Sequence, residues 1–572
     1  MKYESTILKR LIDTYGVVGN PRYISEIIKE FIVRGKERFP ELFTYQADWL
    51  AHIDEFGLNP SYTVSYTGQS IYAPNTLERP VKRAILKGQT LVNLLNNKYL
   101  HCNLPTNEEV EMNSAVNQYD ANNNRVKAIK LNQNLQANKK YILLLNVVSL
   151  ENGKSIGGLT TSTSNEEDYN IPRFSNTGLH CNIFETKFEV KEISLYLDFN
   201  ETNPTIAKIK QPMIIEYQEG MENWNIPYFE GMQSVKMPVL TTTGKNLLNP
   251  NTYTIVWAVE NLIKNDDSFT LDITEGWGGI QFKDLKLKPN TNYTFKFETN
   301  KSTVIAFAKN SGQENQGGKT EFTFTTGNTG LITLSIEAKN PTSSIILSNI
   351  QLEEGDIATT YEPYKSNILT VNEDVELRGI GGVQDTLNCL TGEVTERISE
   401  VILDGTVESA INIHQPSNSE LITFRLDGIT NDGIIGTQST SDKVLWENTP
   451  GLLNYPYGFR LAAYGYPTTM ARLFICLPKS ILSEESANGL SEWLANNPVK
   501  IQYPLVTESV KTVDLTILDQ NGQNVKQLMS FNGGTHFNTR SSEGSPLPTV
   551  SISVETDLEE TLKMCSLDGN TM

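Results

Sequence analysis

From residue 61 onward the chain alternates. Segments such as "YTVSYTG", "FETKFEVKEISLYLDF", "YTFKFET", "TEFTFTTG" and "LITLSIEA" set apolar and polar residues at every second position, with β-branched and aromatic bias. A strand turns successive side chains to opposite faces, so this period marks half-buried strands. The Asn, Gly, Pro and Ser clusters between them mark turns. The pattern predicts many short strands arranged as sandwiches. The longest apolar run, "YILLLNVV" from Tyr141 to Val148, is far too short to span a membrane.

The first 58 residues follow a different period. Ile7, Leu8, Leu11, Ile12 and Tyr15 recur at helical spacing, and Gly16 can end that helix. In "NPRYISEIIKEFIVRG", Asn20 caps, Pro21 takes the first helical position, and Ile24, Ile27, Ile28, Phe31 and Ile32 share a face before Gly35. A third helix is predicted over "PELFTYQADWLAHIDEF". Three helices this short make a small core, so they read as a docking region for partner chains, with an independent helical cap as the other reading.

The β region repeats itself. "NLLNN" starts at Asn93 and "NLLNP" at Asn246, 153 residues on; "LQANKKYILLLNV" starts at Leu135 and "LKPNTNYTFKFET" at Leu287, 152 residues on. Further along, "YQEGMENWNIPYFEGMQSV" at Tyr217 resembles "LEEGDIATTYEPYKSNILTV" at Leu352, with the offset down to 135. Tyr141 and Tyr293 hold equivalent places as the first apolar residue after a turn. The predicted organisation is a helical region at 1–58, a β linker at 59–92, a first module at 93–226 and a linker at 227–245. A second module follows at 246–364, a linker at 365–386, a third module at 387–515, and a hairpin and β-rich tail at 516–572. Within the third module "SEESANGLSEWLANN" predicts a short helix with Leu490, Trp493 and Leu494 inward, and Asn521-Gly522 predicts a hairpin turn.

Charge and cysteines narrow the function. A chain of 572 residues is too long for one core, and about three to five domains are expected. Its net charge of −19 repels phosphate backbones and argues against nucleic-acid binding. Five scattered cysteines, with no Cys-x-x-Cys pair, form neither a disulfide framework nor a zinc site. The opening "MKYESTILKRLIDTYG" has too few apolar residues for a secretory signal, and a soluble protein with no membrane insertion is expected.

Several phrases carry a resemblance. "ERPVKRAILKGQTLVNLL", "TTGKNLLNPN", "NIQLEEGDIATTYEPY", "RGIGGVQDTLNCLTGEVTERI" and "WLANNPVKIQYPLVTESV" resemble tail and baseplate proteins of tailed phages of Gram-positive bacteria, of the upper-baseplate or tail-fibre type. The resemblance covers about residues 78 to 515. It implies a mainly β fold, in which the small N-terminal helical region precedes tandem jelly-roll β-sandwich modules similar to carbohydrate-binding modules. It also implies a virion protein assembled in the host cytoplasm, a homo-oligomer (a trimer by that family's habit), other tail or baseplate proteins as partners, and host cell-wall polysaccharide as the surface met.

No catalytic signature stands out: there is no His-Glu-x-x-His, no Gly-x-Ser-x-Gly, no phosphate loop and no dinucleotide fingerprint. The alternative, a tail-associated polysaccharide hydrolase, needs two carboxylates facing across a cleft. Pairs such as Glu353-Glu354, Asp266-Asp267 and Glu166-Glu167 are adjacent in sequence and read as solvated turns, so a non-enzyme is expected.

Sugar binding is the better-supported activity, because pyranose rings offer a C–H face that stacks on aromatics. Tyr253, Trp257 and Trp277 of the second module are the candidates. Trp277, in "TEGWGGI", sits where a loop would present it, or in the core. Trp257, in "YTIVWAV", reads more readily as core. The first module has no Trp inside the repeat and reads as a spacer. No cofactor is expected beyond a structural calcium on Glu353, Glu354 and Asp356, whose oxygens suit a hard cation. The matching "QEGM" lacks two of those carboxylates, which confines such a site to the second module.

Overall fold

The computed structural model describes residues 62–556, with breaks at 74–80, 96–108, 115–125, 153–154, 199–202, 204, 218–227, 289, 311–315, 328–329, 340, 407–409, 415–419, 428–431, 434–438, 443–459, 466–470, 527, 529–530, 532–533 and 543. The predicted helices of residues 1–58 lie outside the described residues.

The segments read as linkers are the centre of the molecule. Strands Tyr62–Gly68, Thr549–Thr556, Val81–Lys87, Thr386–Asn388, Glu393–Leu403, Val499–Thr512 and Thr440–Ser441 make one sheet, in that order. Strands Ser70–Ala73, Thr535–Arg540, Val239–Thr243, Ser366–Val371 and Leu515–Asp519 make another. Between them lies one core that includes Leu86, Val235, Leu240, Leu369, Leu387, Phe537 and Ile552, all buried. Burying each such aliphatic side chain contributes about 1.5–3 kcal/mol. Strands 62–73 and 81–87 pair with the far end of the chain: Val64 lies opposite Val554, and Ile71 opposite Phe537. The described residues of 62–92, 228–245, 365–386 and 516–556 therefore build one hub. Alternation shows that a segment is a strand, but pairing between segments hundreds of residues apart leaves no local mark.

Each intervening stretch leaves and rejoins the hub on paired neighbours. The first departs after Thr90–Val92 and returns on Met232–Lys236, with Thr90 opposite Ser234. The second departs after Val239–Thr243 and returns on Ser366–Val371, with Thr243 opposite Ser366. The third departs after Glu393–Leu403 and returns on Val499–Thr512, with Leu403 opposite Val499. Ends already one strand apart let a folded insert join a sheet at little entropic cost.

The first and second inserts are sandwiches with the same strand order. In the first, one sheet runs Val110–Ser114, Thr205–Glu216, Lys140–Leu150, Gly178–Glu185, and the other Val126–Leu135, Val190–Leu197, Ile156–Ser162, Glu167–Phe174. In the second the corresponding series are Ser268–Ile273, Thr342–Glu354, Asn292–Thr299, Glu321–Thr325, and Trp277–Lys286, Leu331–Lys339, Val304–Asn310, Gln316–Lys319. Edge strands Val259–Asn265 and Tyr253–Val256 extend the second insert's sheets.

The copies agree bond by bond. Asn93 and Asn246, both buried, accept through Oδ1 from the N–H two residues on, Leu95 at 3.0 Å and Leu248 at 3.1 Å. The same oxygens accept from Ile214 and Leu352 on the returning strand, at 3.4 and 3.2 Å. The Tyr141 and Tyr293 hydroxyls each accept a backbone N–H at 3.0 Å, from Gln136 and Lys288. The Thr186 and Thr326 hydroxyls donate to those residues' carbonyls at 2.5 and 2.6 Å.

One face differs between the copies. In the first insert Ile142, Leu144, Met213 and Ile215 pack against Leu91 and Phe229, so both faces of that sheet are buried. In the second insert the same face carries Thr294, Lys296, Gln351 and Glu353, closed by the insert's own chain at Thr359–Glu362. The unbroken "YILLLNVV" and the alternating "YTFKFET" record that difference.

The third insert departs from the expected jelly roll. Its described residues form a four-stranded sheet, Ala410–His414, Leu421–Asp427, Ala471–Pro478, Arg460–Gly465. It carries the helix Ala487–Asn496, capped by the Ser486 hydroxyl accepting from Gly489 N at 3.1 Å. Leu490, Trp493 and Leu494 face inward, as the spacing predicts, and pack with Phe424 and Ile475 onto Leu403, Val499 and Ile501 of the hub's long strands. Among the described residues, this insert's sheet and helix pack onto a hub sheet as their second layer.

Candidate functional site

The aromatic candidates fall at one edge of the second sandwich. Tyr253–Val256 pairs with Trp277–Lys286, Val256 lying opposite Gly279. The chain then turns through Trp257 and Ala258, at φ +31° and +39°, and crosses to the other sheet, where Val259 lies opposite Ile273. Two consecutive non-glycine residues in the left-handed region are strained, and they end the alternation. This is why Trp257 is 76% exposed rather than in the core.

Trp277 opens a strand rather than sitting in a loop. It is 37% exposed and lies opposite Lys339, whose ammonium is 5.9 Å from the ring centroid. The glycines after it are needed for contact: a Cβ on Gly278 would meet the Trp257 carbonyl at 2.9 Å, and one on Gly279 the Ile336 carbonyl at 2.0 Å. Trp257 therefore runs beside Gly278, one residue from Trp277. Tyr253 is placed differently: its ring packs edge-on against buried Phe269, centroids 4.9 Å apart, and it braces the core.

The same sheet face carries polar residues that the sequence reading missed. On Leu331–Lys339 the even positions Ile332, Leu334, Ile336 and Ala338 enter the core, which turns Ser335, Glu337 and Lys339 outward. Glu337 is 8% exposed and paired with Lys309 at 2.9 Å, Lys309 lying opposite Thr333 on the next strand. Gln281 and Phe307 flank Ser335 on the two neighbouring strands. Trp277, Lys339, Glu337, Lys309 and Gln281 thus form a band of ring, charge and amide over a glycine floor at Gly279. The signal in sequence was the polar position within "LITLSIEAK", which alternation alone assigns to solvent.

The carboxylates proposed for calcium do not converge. Glu353 turns away from the sandwich core, under the segment at Thr359, and accepts from Gln351 Nε2 at 2.5 Å, Thr359 N at 2.9 Å and the Thr359 hydroxyl at 2.6 Å. Glu354, on the opposite face of the strand, is paired with Lys288 at 2.9 Å, and Asp356 is exposed. Among the described residues no group of three His, Cys, Asp or Glu side chains could hold a metal ion. The phrase "QLEEGDIATTYEP" is a clasp: the Gln351 side-chain oxygen accepts from Glu362 N at 2.7 Å, and Asn246 Nδ2 donates to the Glu362 carbonyl at 3.0 Å. No described helix is long and apolar enough to cross a membrane.

No family model and no curated protein matches the chain. Among solved structures it is similar to the N-terminal CBM22-1–CBM22-2 tandem domain of Xyn10C from Paenibacillus barcinonensis, at 9% identity and a TM-score of 0.16, over 47% of this chain and 98% of that one. So loose an overlay carries neither fold nor ligand across. The β-sandwich assignment rests on the strand pairing above.

Proposed function

We propose that this chain is an adhesive structural component of a phage tail or baseplate. In this reading its two jelly-roll modules hang from a central hub and bind the polysaccharide of a Gram-positive cell wall. Jelly-roll is the reading of eight strands that, numbered in chain order, stack as 1-8-3-6 over 2-7-4-5 in both modules, with the crossovers of two Greek keys. The virion assignment draws on the sequence phrases that resemble tail and baseplate proteins, and with it come an oligomeric assembly and an N-terminal docking region.

The observation that carries the binding reading is Trp257, 76% exposed on a strained turn whose backbone runs against Gly278, the residue after Trp277. Exposing an indole forgoes burial, and holding it in the left-handed region adds strain, a combination expected of a ligand-facing residue. Binding fits this face better than cleavage, since its buried carboxylate, Glu337, is held by Lys309. The test is to incubate the purified chain with Gram-positive cell walls. Retention on the walls without release of reducing sugar supports the reading; turnover of the wall, or no retention at all, overturns it.

A further inference from the structure

The first module, which reads as a spacer in sequence, carries its own aromatic corner on the sheet that corresponds to the Trp277 sheet. Tyr196 stands on Val190–Leu197 opposite Gly157, and a Cβ on Gly157 would come within 2.2 Å of its ring, so only glycine lets the ring lie there. Tyr169 meets Tyr196 edge-on, centroids 6.0 Å apart at 78°, and is itself 66% exposed. The next residue, Asn170, is pinned on both sides: its Oδ1 accepts from the Thr160 hydroxyl at 3.2 Å and its Nδ2 donates to the Glu185 carbonyl.

Around the corner stands a polar rim. Arg173 donates to the Tyr196 hydroxyl at 3.4 Å and to Ser155 at 3.2 Å, and it pairs with Asp198. Burial opposes ionisation of Asp198, but the Ser155 hydroxyl and the Arg173 guanidinium outweigh it and hold the carboxyl below its usual range. Lys187 is likewise paired, with Asp168 at 3.2 Å. Both cations are thus neutralised in place, and an anionic ligand would have to displace a carboxylate. The occupant this suits is uncharged, with an apolar face for Tyr169 and hydroxyls for the rim.

Resting on the wall-binding reading above, we propose that Tyr169, held by Tyr196 and rimmed by Arg173 and Asp198, is a second sugar-contact site that takes a neutral pyranose residue of the same polysaccharide. Two modules on one hub then grip one polymer, and avidity arises without any added contact at either site.

The experiment uses the full chain on immobilised Gram-positive cell-wall polysaccharide, with Tyr169→Ala, Tyr169→Phe, the pair Trp257→Ala with Trp277→Ala, and all three alanines together. Loss of one of two coupled sites is expected to weaken avidity about 100-fold, for Tyr169→Ala and for the Trp pair alike, with the triple variant not retained. Tyr169→Phe, which keeps the ring, binds as the native chain does. If the native chain binds and Tyr169→Ala is indistinguishable from it in both backgrounds, the second site is overturned while the wall-binding reading stands. A binding loss that comes with faster amide exchange throughout residues 126–216 also counts against it, as an effect on the fold. If the native chain is not retained on the walls, the wall-binding reading fails and the second site with it.

Discussion

The Thr90 hydroxyl donates to the Gln502 side-chain oxygen at 2.7 Å, across 412 residues of chain. Gln502 Nε2 in turn donates to Ser234 and to Glu400, both at 3.0 Å, and the Thr90 and Ser234 hydroxyls are 3.0 Å apart. Thr90 and Ser234 are the paired stem of the first insert, and Glu400 and Gln502 lie on the stem of the third. One buried network therefore fixes two inserts to the hub. Gln502→Leu strands buried partners in both stems and is expected to destabilise the hub by about 2–4 kcal/mol. Thermal unfolding followed by amide exchange in residues 81–92 and 499–512 reads the effect; an unchanged profile would show that the network adds nothing.

Asn246 is expected to be indispensable to its own module alone. Its side chain makes four hydrogen bonds to backbone groups, of Leu248, Leu352, Ile350 and Glu362. Asn246→Ala leaves several of them buried and unpaired, at about 2–4 kcal/mol. Exchange should quicken across 246–364 and stay as it was across 126–216; Asn93→Ala should do the reverse. Uniform quickening in both would mean that the sandwiches do not fold as separate units.

Trp257→Ala removes a ring that is mostly in solvent, so stability is expected to change by no more than about 0.5 kcal/mol. Retention on cell walls should nevertheless fall. Gly279→Ala is the contrasting case: its Cβ would sit 2.0 Å from the Ile336 carbonyl, and forcing the strands apart is expected to cost about 3 kcal/mol. A melting curve on each variant separates the two kinds of residue.

His536 makes the hub sensitive to acid. It is buried 4.8 Å from the Tyr72 ring, with Lys288 and Glu354 facing it from the second module. Burial first, and Lys288 after it, depress its pKa from 6.5 to about 3. Between those values the unfolded chain binds more protons than the folded one, so stability rises with pH across the window and drains away as pH falls from about 6.5 toward 3. The loss from pH 7 to pH 5 is expected to be about 2 kcal/mol. Denaturant melts at the two pH values measure it, and His536→Gln should flatten the difference; an equal slope in that variant would assign the acid sensitivity to other groups.

Much of the chain's grammar was legible before its structure. Period-two alternation marked the strands, the paired phrases at Asn93 and Asn246 marked duplicate units, and Leu490, Trp493 and Leu494 marked one helix face. The sequence singles out the Trp candidates, but its local pattern favours the core for Trp257, because nothing local announces a left-handed turn at a tryptophan. Glu337, Lys309 and the Tyr169–Tyr196 corner stayed hidden, since a polar or aromatic residue on a strand looks the same whether solvent or a neighbouring ring covers it.

What the sequence by itself determined was local: strand or helix, which residues alternate inward, and that two stretches share a design. Those follow from backbone period and turn chemistry, which act over a few residues. The tertiary structure alone decided that the linkers are the hub, that residues 62–73 close against residues 535–556, and that the first module buries a sheet face its copy leaves to a clasp. Such choices are made by pairing and packing between segments far apart in the chain, where the energy belongs to the pair and neither partner carries its record alone.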